Sequence, residues 1–295
     1  MLLDSASLYF RAFYGVPTSV TAPDGRPVNA VRGFLDMVAR LIDDRRPGRL
    51  VCCLDEDWRP AFRTAALPGY KAHRVAAEGG EDVPGELAAQ VPVLMDALDA
   101  IGLCRLGAAG FEADDVIATL AAREPGPTDV VTGDRDLFAV VDDEREVRVV
   151  YVARGVSRRE VVDAAAVRAR YGVKPTQYVD VAILRGDPSD GLPGVTGVGD
   201  KTAAGLVSRF GSVQGVLDAI DEGHQVPKAS ALSARRDYLR AATTVVPVRT
   251  DVPLPGAVDI ALPDAVADPE RLVALVDRWG LAASVNRLLA AVRSV

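Results

Sequence analysis

The chain is poor in histidine, cysteine and aromatic residues. Only His73 and His224 occur among 295 residues, too few for a histidine-rich metal site and poor material for a Ser-His-Asp triad. The three cysteines are Cys52, Cys53 and Cys104. Two of them are adjacent in an apolar run and no C-x-x-C spacing exists, which argues against a disulfide scaffold and a zinc ribbon. Aromatics supply 5% of the residues, so Val, Leu and Ala must fill the interior. No apolar run approaches the roughly 18 residues of a membrane span, and MLLDSASLYF carries neither a basic n-region nor a cleavage site. These absences predict a cytoplasmic protein with no membrane partner. Any metal it holds must be bound through oxygen, as Mg²⁺ or Mn²⁺.

What is present is enough for a sizeable core: 49% of the residues are hydrophobic, as one large domain or two modest ones. The net charge of −7 argues against a nucleic-acid partner unless the acids are concentrated in one metal site, where bound cations reverse the local field. Strand-like and helix-like segments alternate in the first half, which predicts an α/β sheet. VNAVRGFLDMVARLIDD has helical apolar spacing, LAAQVPVLMDALDAIG stops at Gly102, and EVRVVYVARG reads as a strand pair. Beyond Ser157 short helices punctuated by Gly and Pro dominate. The expectation is a sheet-containing core over 1–165 and a helical region over 166–295.

Three apolar runs end in aspartate: LLD at Asp4, VCCLD at Asp55 and VVTGD at Asp134. Ligands of open α/β sheets sit outside the carboxyl ends of the strands, so parallel strands would bring these side chains to one edge. FEADD adds Glu112, Asp114 and Asp115 at a helix start, TGDRD adds Asp136, and LRGDPSDGLPG adds Asp187 and Asp190. Singly, each is an ordinary turn or helix-dipole acid. Nine together in one cleft could not stay ionised without cations. Two divalent ions about 4 Å apart would neutralise them and clamp a phosphodiester for in-line attack by water. Arg135, between two of the acids, is expected to be structural.

In LPGVTGVGDKTAAGLV, the tripeptide Gly197-Val198-Gly199 suits a helix–hairpin–helix turn that approaches a phosphate, with Lys201 adding charge. A Walker A reading fails because Asp200 intrudes before Lys201, and a dinucleotide fingerprint fails for want of a third glycine. GYKAHR, within the polar stretch 58–86, sets Tyr70 beside Lys71 and Arg74, as a mobile element touching a single strand would require.

These motifs, in this order, resemble the flap-endonuclease family and the 5′→3′ exonuclease domain of bacterial DNA polymerase I, nearly end to end. The resemblance implies a PIN-like core with a mostly parallel twisted sheet, a helical arch over 58–86 and a helix–hairpin–helix at 183–210. It assigns Asp4, Asp55, Glu112 and Asp114 to a first metal, Asp115, Asp136, Asp187 and Asp190 to a second, and Asp134 between them. Lys71 and Arg74 become catalytic. Phe10, Arg11, Tyr70, Gly194, Gly197, Gly199 and Lys201 become nucleic-acid contacts, with K⁺ at the hairpin. The implied partner is DNA with 5′ flaps or 5′ ends, or an RNA–DNA hybrid, met by a monomer. Two departures stand out: Ser5 replaces a common glycine, and Gly191 stands where asparagine usually follows Ser-Asp. A non-catalytic junction binder would have lost carboxylates, whereas all nine are present. A haloacid-dehalogenase-type phosphatase needs D-x-D after the first strand, and Ser5-Ala6 follows Asp4 here.

Overall fold

The computed structural model describes all residues but position 257. Six strands form one sheet: β1 (Leu2–Asp4), β2 (Val51–Cys53), β3 (Cys104–Leu106), β4 (Thr128–Thr132), β5 (Val147–Tyr151) and β6 (Glu160–Val162). Their spatial order is β3-β2-β1-β4-β5-β6. Every pair is parallel except β5 with β6. The order runs outward in both directions from β1, whose Leu2 faces Val51 on one side and Val130 on the other. The switch point lies between β1 and β4, and a crevice is expected at the carboxyl ends of those two strands.

Side chains on a strand alternate between faces. Leu2, Val51, Cys53 and Val130 enter one hydrophobic core, while Leu3, Cys52 and Val131 enter the other. The adjacent cysteines therefore point to opposite faces. Helices α1 (Ser5–Gly15), α2 (Asn29–Arg45), α3 (Ala61–Ala66), α4 (Gly85–Ala88), α5 (Val91–Ile101) and α6 (Ala113–Arg123) lie within the strand-bearing half. The apolar spacing of α2 buries Val31, Phe34, Leu35, Val38, Leu41 and Ile42. Burying side chains of this size contributes roughly 1.5–3 kcal/mol each. Then come α7 (Ala164–Tyr171), α8 (Tyr178–Arg185), α9 (Asp200–Phe210), α10 (Val213–Asp221), α11 (Ala229–Ser233) and α12 (Arg236–Val245). They continue the first core without a break, through Val181, Leu206, Val216 and Leu239.

Several expectations change. The boundary placed at 165/166 falls inside α7. The C-terminal region is not one helical unit, because α13 (Pro269–Trp279) and α14 (Ala282–Arg293) return to the opposite face of the sheet. There Leu272, Leu281, Val285 and Leu288 pack with Phe34 and Leu98. EVRVVYVARG supplies β5 alone, and the antiparallel partner β6 comes from Glu160–Val162 after a single 3₁₀ turn. The segment 58–86 has no long helix: it holds α3, a 3₁₀ turn at Ala72–Arg74 and the beginning of α4. Pro60, Pro68, Gly69, Gly79, Gly80 and Pro84 punctuate it too densely for more. Among the described residues no helix is long and apolar enough to cross a membrane.

Candidate active site

The carboxyl ends of the strands deliver acids into one cleft of about 420 Å³, lined by Asp4, Asp55, Glu112, Asp114, Asp134 and Asp187. Asp4 ends β1 and caps α1, accepting the Ser7 N–H at 3.0 Å. Its other oxygen accepts the Thr132 hydroxyl at 2.7 Å, and that hydroxyl accepts the Asp134 N–H at 2.9 Å. The two strands at the switch point are thus tied together through their acids. Asp55 follows β2 and accepts the Ala113 N–H at 2.8 Å, which fixes the start of α6. Glu112 caps α6, and Asp114 lies in its first turn. Asp134 accepts the Asp136 N–H at 2.8 Å. Asp187 closes its own turn by accepting the Ser189 N–H at 2.8 Å.

Crowding and burial oppose ionisation here. Burial pushes the Asp4 carboxyl up to about 7, and the charges of Asp55 and Asp134 push the same way against two hydrogen bonds. Burial also lifts Glu112 to about 7, opposed by Lys71 and Arg63. Asp114 is driven well above its ordinary value by burial, then by Asp4, Asp134 and Glu112. Asp136 is driven well up by burial, then by Asp134, Asp190 and Asp187. One Asp136 oxygen is buried without a hydrogen-bond partner, a costly state for a carboxylate. An all-oxygen donor set with an unpaired buried oxygen fits hard divalent cations. Among the described residues no three acids converge into a finished ion cage; the carboxylates ring the cleft instead.

The nearest positive charge is Lys71, whose Nζ donates to Glu112 at 2.8 Å. Lys71, Arg74 and Phe10 line the same cleft. Arg74 is tied to the Asp187–Asp190 turn, donating to Ser189 O at 2.6 Å and to Asp190 at 3.0 Å. Arg11 donates to Ala153 O at 2.9 Å and lines a neighbouring groove of about 900 Å³ that shares Phe10 and Ser7 with the cleft. Gly197, Gly199 and Lys201 are exposed, with Gly199 at the start of α9.

Three residues assigned from the sequence have other partners in this structure. Asp115 cannot serve an ion as placed. Both of its oxygens take Arg63 N–H groups at 2.7 Å, and they also accept the Arg249 N–H at 2.8 Å and the Glu112 N–H at 3.3 Å. Its carboxylate is fully buried and anchors Arg63. Tyr70 is 4% exposed and donates its hydroxyl to Glu112 at 2.9 Å, so here it orients an acid and offers little surface to a ligand. Gly194 is buried, and a Cβ on it would lie 2.3 Å from Arg185 O; its role is close backbone packing. The sequence reading did not single out Thr132, Ser7, Trp58 or Glu81, of which the last three line the cleft. Arg135 lines it as well. Ser7 lies one turn into the helix that follows Asp4, and that spacing was the available signal. A second cavity, of about 400 Å³, opens at the other edge of the sheet, but its Arg45 and Arg49 are already paired with Asp129 and Glu124.

Comparison with known proteins agrees with this geometry. Residues 1–172 match the family model described as 5′-3′ exonuclease, N-terminal resolvase-like domain. Residues 173–267 match the one described as 5′-3′ exonuclease, C-terminal SAM fold. The chain is 54% identical to a 5′-3′ exonuclease of Streptomyces coelicolor, over 98% of both chains. It is 49% identical to a 5′-3′ exonuclease of Mycobacterium tuberculosis, over 98% of this chain and 96% of the other. With DNA polymerase I of Bacillus caldotenax it shares 33% identity over 98% of its length, which is 32% of that protein. In fold it is similar to a zinc-bound T5 5′-exonuclease, with a TM-score of 0.65 at 18% identity, covering 100% of this chain and 97% of that one. It is also similar to the catalytic core of Rad2 in complex with DNA substrate, with a TM-score of 0.61 at 16% identity, covering 99% and 91%. With a sheet whose switch point gathers the acids, and both family models matched in order, the chain belongs to the 5′-3′ exonuclease family.

Proposed function

We propose that this chain is a structure-specific 5′ nuclease, hydrolysing DNA phosphodiesters at 5′ ends and at the base of 5′ flaps during replication and repair. The observation that carries this reading is the cleft at the β1–β4 switch point, where Asp4 and Asp134 meet through Thr132 and the acids outnumber the cations. RNA–DNA hybrids are a further substrate, and the protein acts as a cytoplasmic monomer. Mg²⁺ or Mn²⁺ would be held by Asp4, Asp55, Glu112 and Asp114 on one side, by Asp136, Asp187 and Asp190 on the other, and by Asp134 between. Bound there, two ions supply a water nucleophile at neutral pH and stabilise the leaving oxygen.

The protein's own groups do the rest. Lys71, whose ammonium pairs with Glu112 at 2.8 Å, would offer it to the scissile phosphate. Phe10, at the junction of cleft and groove, supplies an aromatic face for a base next to the cut. Gly197, Gly199 and Lys201 seat the downstream duplex backbone through free N–H groups and charge, with K⁺ as the accompanying monovalent ion. Tyr70 holds Glu112, and Arg63 with Asp115 fixes the first turn of α6 beneath it.

The test is cleavage of an end-labelled 5′-flap duplex with Mg²⁺ or Mn²⁺. Wild type is expected to release the flap as a short product. Asp134→Asn combined with Asp136→Asn is expected to lower the single-turnover rate by at least 100-fold, on the order expected when a preorganised charge site is removed. Equal cutting by both proteins would sink the assignment. Binding without cutting by wild type, across several metals, would favour a junction-binding role.

A further inference from the structure

The turn that carries Lys71 is docked on the turn that carries Asp187 and Asp190. The Lys71 N–H donates to Asp190 O at 2.9 Å. Arg74 donates to Ser189 O through Nε at 3.1 Å and through Nη2 at 2.6 Å, and Nη2 also reaches the Asp190 carboxylate at 3.0 Å. On the outer side Arg59 grips the same turn, donating to Tyr70 O at 2.6 Å and Pro68 O at 2.7 Å. The turn 187–192 is itself closed, with Asp187 and Leu192 exchanging N–H···O bonds at 2.9 and 2.8 Å.

Gly191 stands at the centre of this contact. A Cβ there would lie 2.4 Å from Gly69 O and 3.3 Å from Lys71 N. No side chain fits at 191 while the two turns touch as they do. Lys71 holds a left-handed backbone, with φ of 48°. A non-glycine residue keeps that conformation only where its surroundings over-determine it. Those surroundings are Asp190 on its backbone and Glu112 on its ammonium, so one residue spans both sides of the acid cleft.

We propose that Gly191 is a positioning residue for Lys71: by leaving room for Gly69, it lets the two turns assemble before DNA arrives and sets the ammonium over the cleft. The proposal rests on the nuclease reading above for its kinetic readout, but not for its structural one. A preassembled cation spares the enzyme the cost of ordering this segment on substrate binding. It also couples the Lys71 turn to the Asp187–Asp190 turn, so displacing either moves the other.

The experiment has two arms. In the first, single-turnover cleavage of a 5′-flap duplex is measured for wild type, Gly191→Asn, Lys71→Ala and the double variant. Gly191 holds φ of 71°; asparagine, the residue usual at this position in the family, tolerates that backbone, so its effect reports the contact with Gly69 that this chain makes and not φ. Gly191→Asn is expected to slow cleavage at least tenfold in the wild-type background and less than twofold in Lys71→Ala, with flap affinity in Ca²⁺ changed less than threefold. Costs that multiply in the double variant, or unimpaired cleavage by Gly191→Asn, overturn the proposal. If the asparagine variant does not fold, Gly191→Ala replaces it, with Gly172→Ala as the control for strain alone, because Gly172 is also left-handed and its Cβ would meet nothing within 4 Å. The second arm uses the DNA-free wild type under native trypsin digestion read by mass spectrometry. The bonds after Lys71 and Arg74 are expected to resist at least tenfold longer than those after the exposed Lys201 and Lys228. Equal cutting at all four overturns the latch even if the nuclease reading stands. Failure of wild type to cut the flap would refute the nuclease reading, while the digestion still judges the latch.

Discussion

Replacing Asp4 by asparagine should stabilise the metal-free protein while destroying its activity. Asp4 is 6% exposed, and burial with neighbouring Asp55 and Asp134 lifts its carboxyl from the ordinary 3.8 to about 7. In the unfolded chain the group ionises near its ordinary value. As pH rises from about 4 to about 7, the unfolded state loses its proton first and folding stability falls; above about 7 the full penalty is present. That gap is worth on the order of 4 kcal/mol for this group. Asparagine carries no charge, can still accept from the Ser7 N–H, and can donate to the Thr132 hydroxyl. Part of the penalty will persist through the other acids, so a gain of about 1–3 kcal/mol at pH 8 is expected, or very roughly 2–10 °C in Tm. The assay is thermal unfolding in EDTA at pH 5 and pH 8, with flap cleavage in Mn²⁺ run in parallel. Asp4→Asn should melt above wild type at pH 8, show a smaller difference at pH 5, and cut at least 100-fold more slowly. A variant no more stable than wild type at pH 8 in EDTA would refute the burial penalty assigned to Asp4.

Other changes test separate parts of the molecule. Arg63→Ala leaves the buried Asp115 carboxylate without its bidentate partner and should cost about 3–5 kcal/mol in urea unfolding, as broken buried pairs do. Lys201→Ala should reduce the salt dependence of duplex binding by about one phosphate contact, with cleavage at saturating DNA unchanged. Ending the chain after residue 267 removes α13 and α14 and exposes Phe34 and Leu98, so a loss of cooperative melting is expected even though both family models are retained. Cys52 and Cys53 are fully buried, and burial pushes the Cys52 thiol up to about 12. A thiol reagent at pH 8 should leave both intact until the protein is unfolded.

The strand-end acids were legible because an apolar run that stops at aspartate marks both a strand and its tip. Asp4, Asp55 and Asp134 needed no long-range knowledge beyond parallel pairing. Asp115 is the opposite case. In the sequence it is Asp114's twin, and what separates them is Arg63, 52 residues away, with the Arg249 backbone 134 residues away. A local pattern carries no trace of such partners. Tyr70 failed similarly: an aromatic among bases looks like a stacking residue until Glu112 is found at its hydroxyl. β3 has three residues, Cys104-Arg105-Leu106, too few for their apolar–polar alternation to mark a strand, so its strand character is visible only in its pairing with β2. The boundary at 165/166 falls within α7, which joins the core laid down by the sheet. Periodicity reports which face of a helix is apolar but not which surface it will meet, and so the return of α13 and α14 was invisible.

The negative charge of the chain, which seemed to oppose a DNA partner, follows from the same placement. The nine acids singled out in the sequence exceed the net charge of −7, so the remainder of the chain is slightly basic. Eight of the nine surround the cleft or its rim, and the ninth is neutralised by Arg63. The negative field is therefore local and is the part that divalent ions cancel. Outside it, the groove continuous with the cleft is walled by Arg11, Arg40, Arg154 and Arg158 against the acid Asp36, and exposed Tyr14 stands at 73% accessibility. A phosphate chain approaching the metal-free protein would meet repulsion at the cleft and attraction beside it. With divalent ions bound, the acids would no longer repel a phosphate chain and the whole path would become attractive. Burial, which raises Asp4 and Glu112 most, and the neighbouring acids, which add to it, also favour a bound cation, because a divalent ion would stabilise the ionised carboxylates that without it persist only above about pH 7.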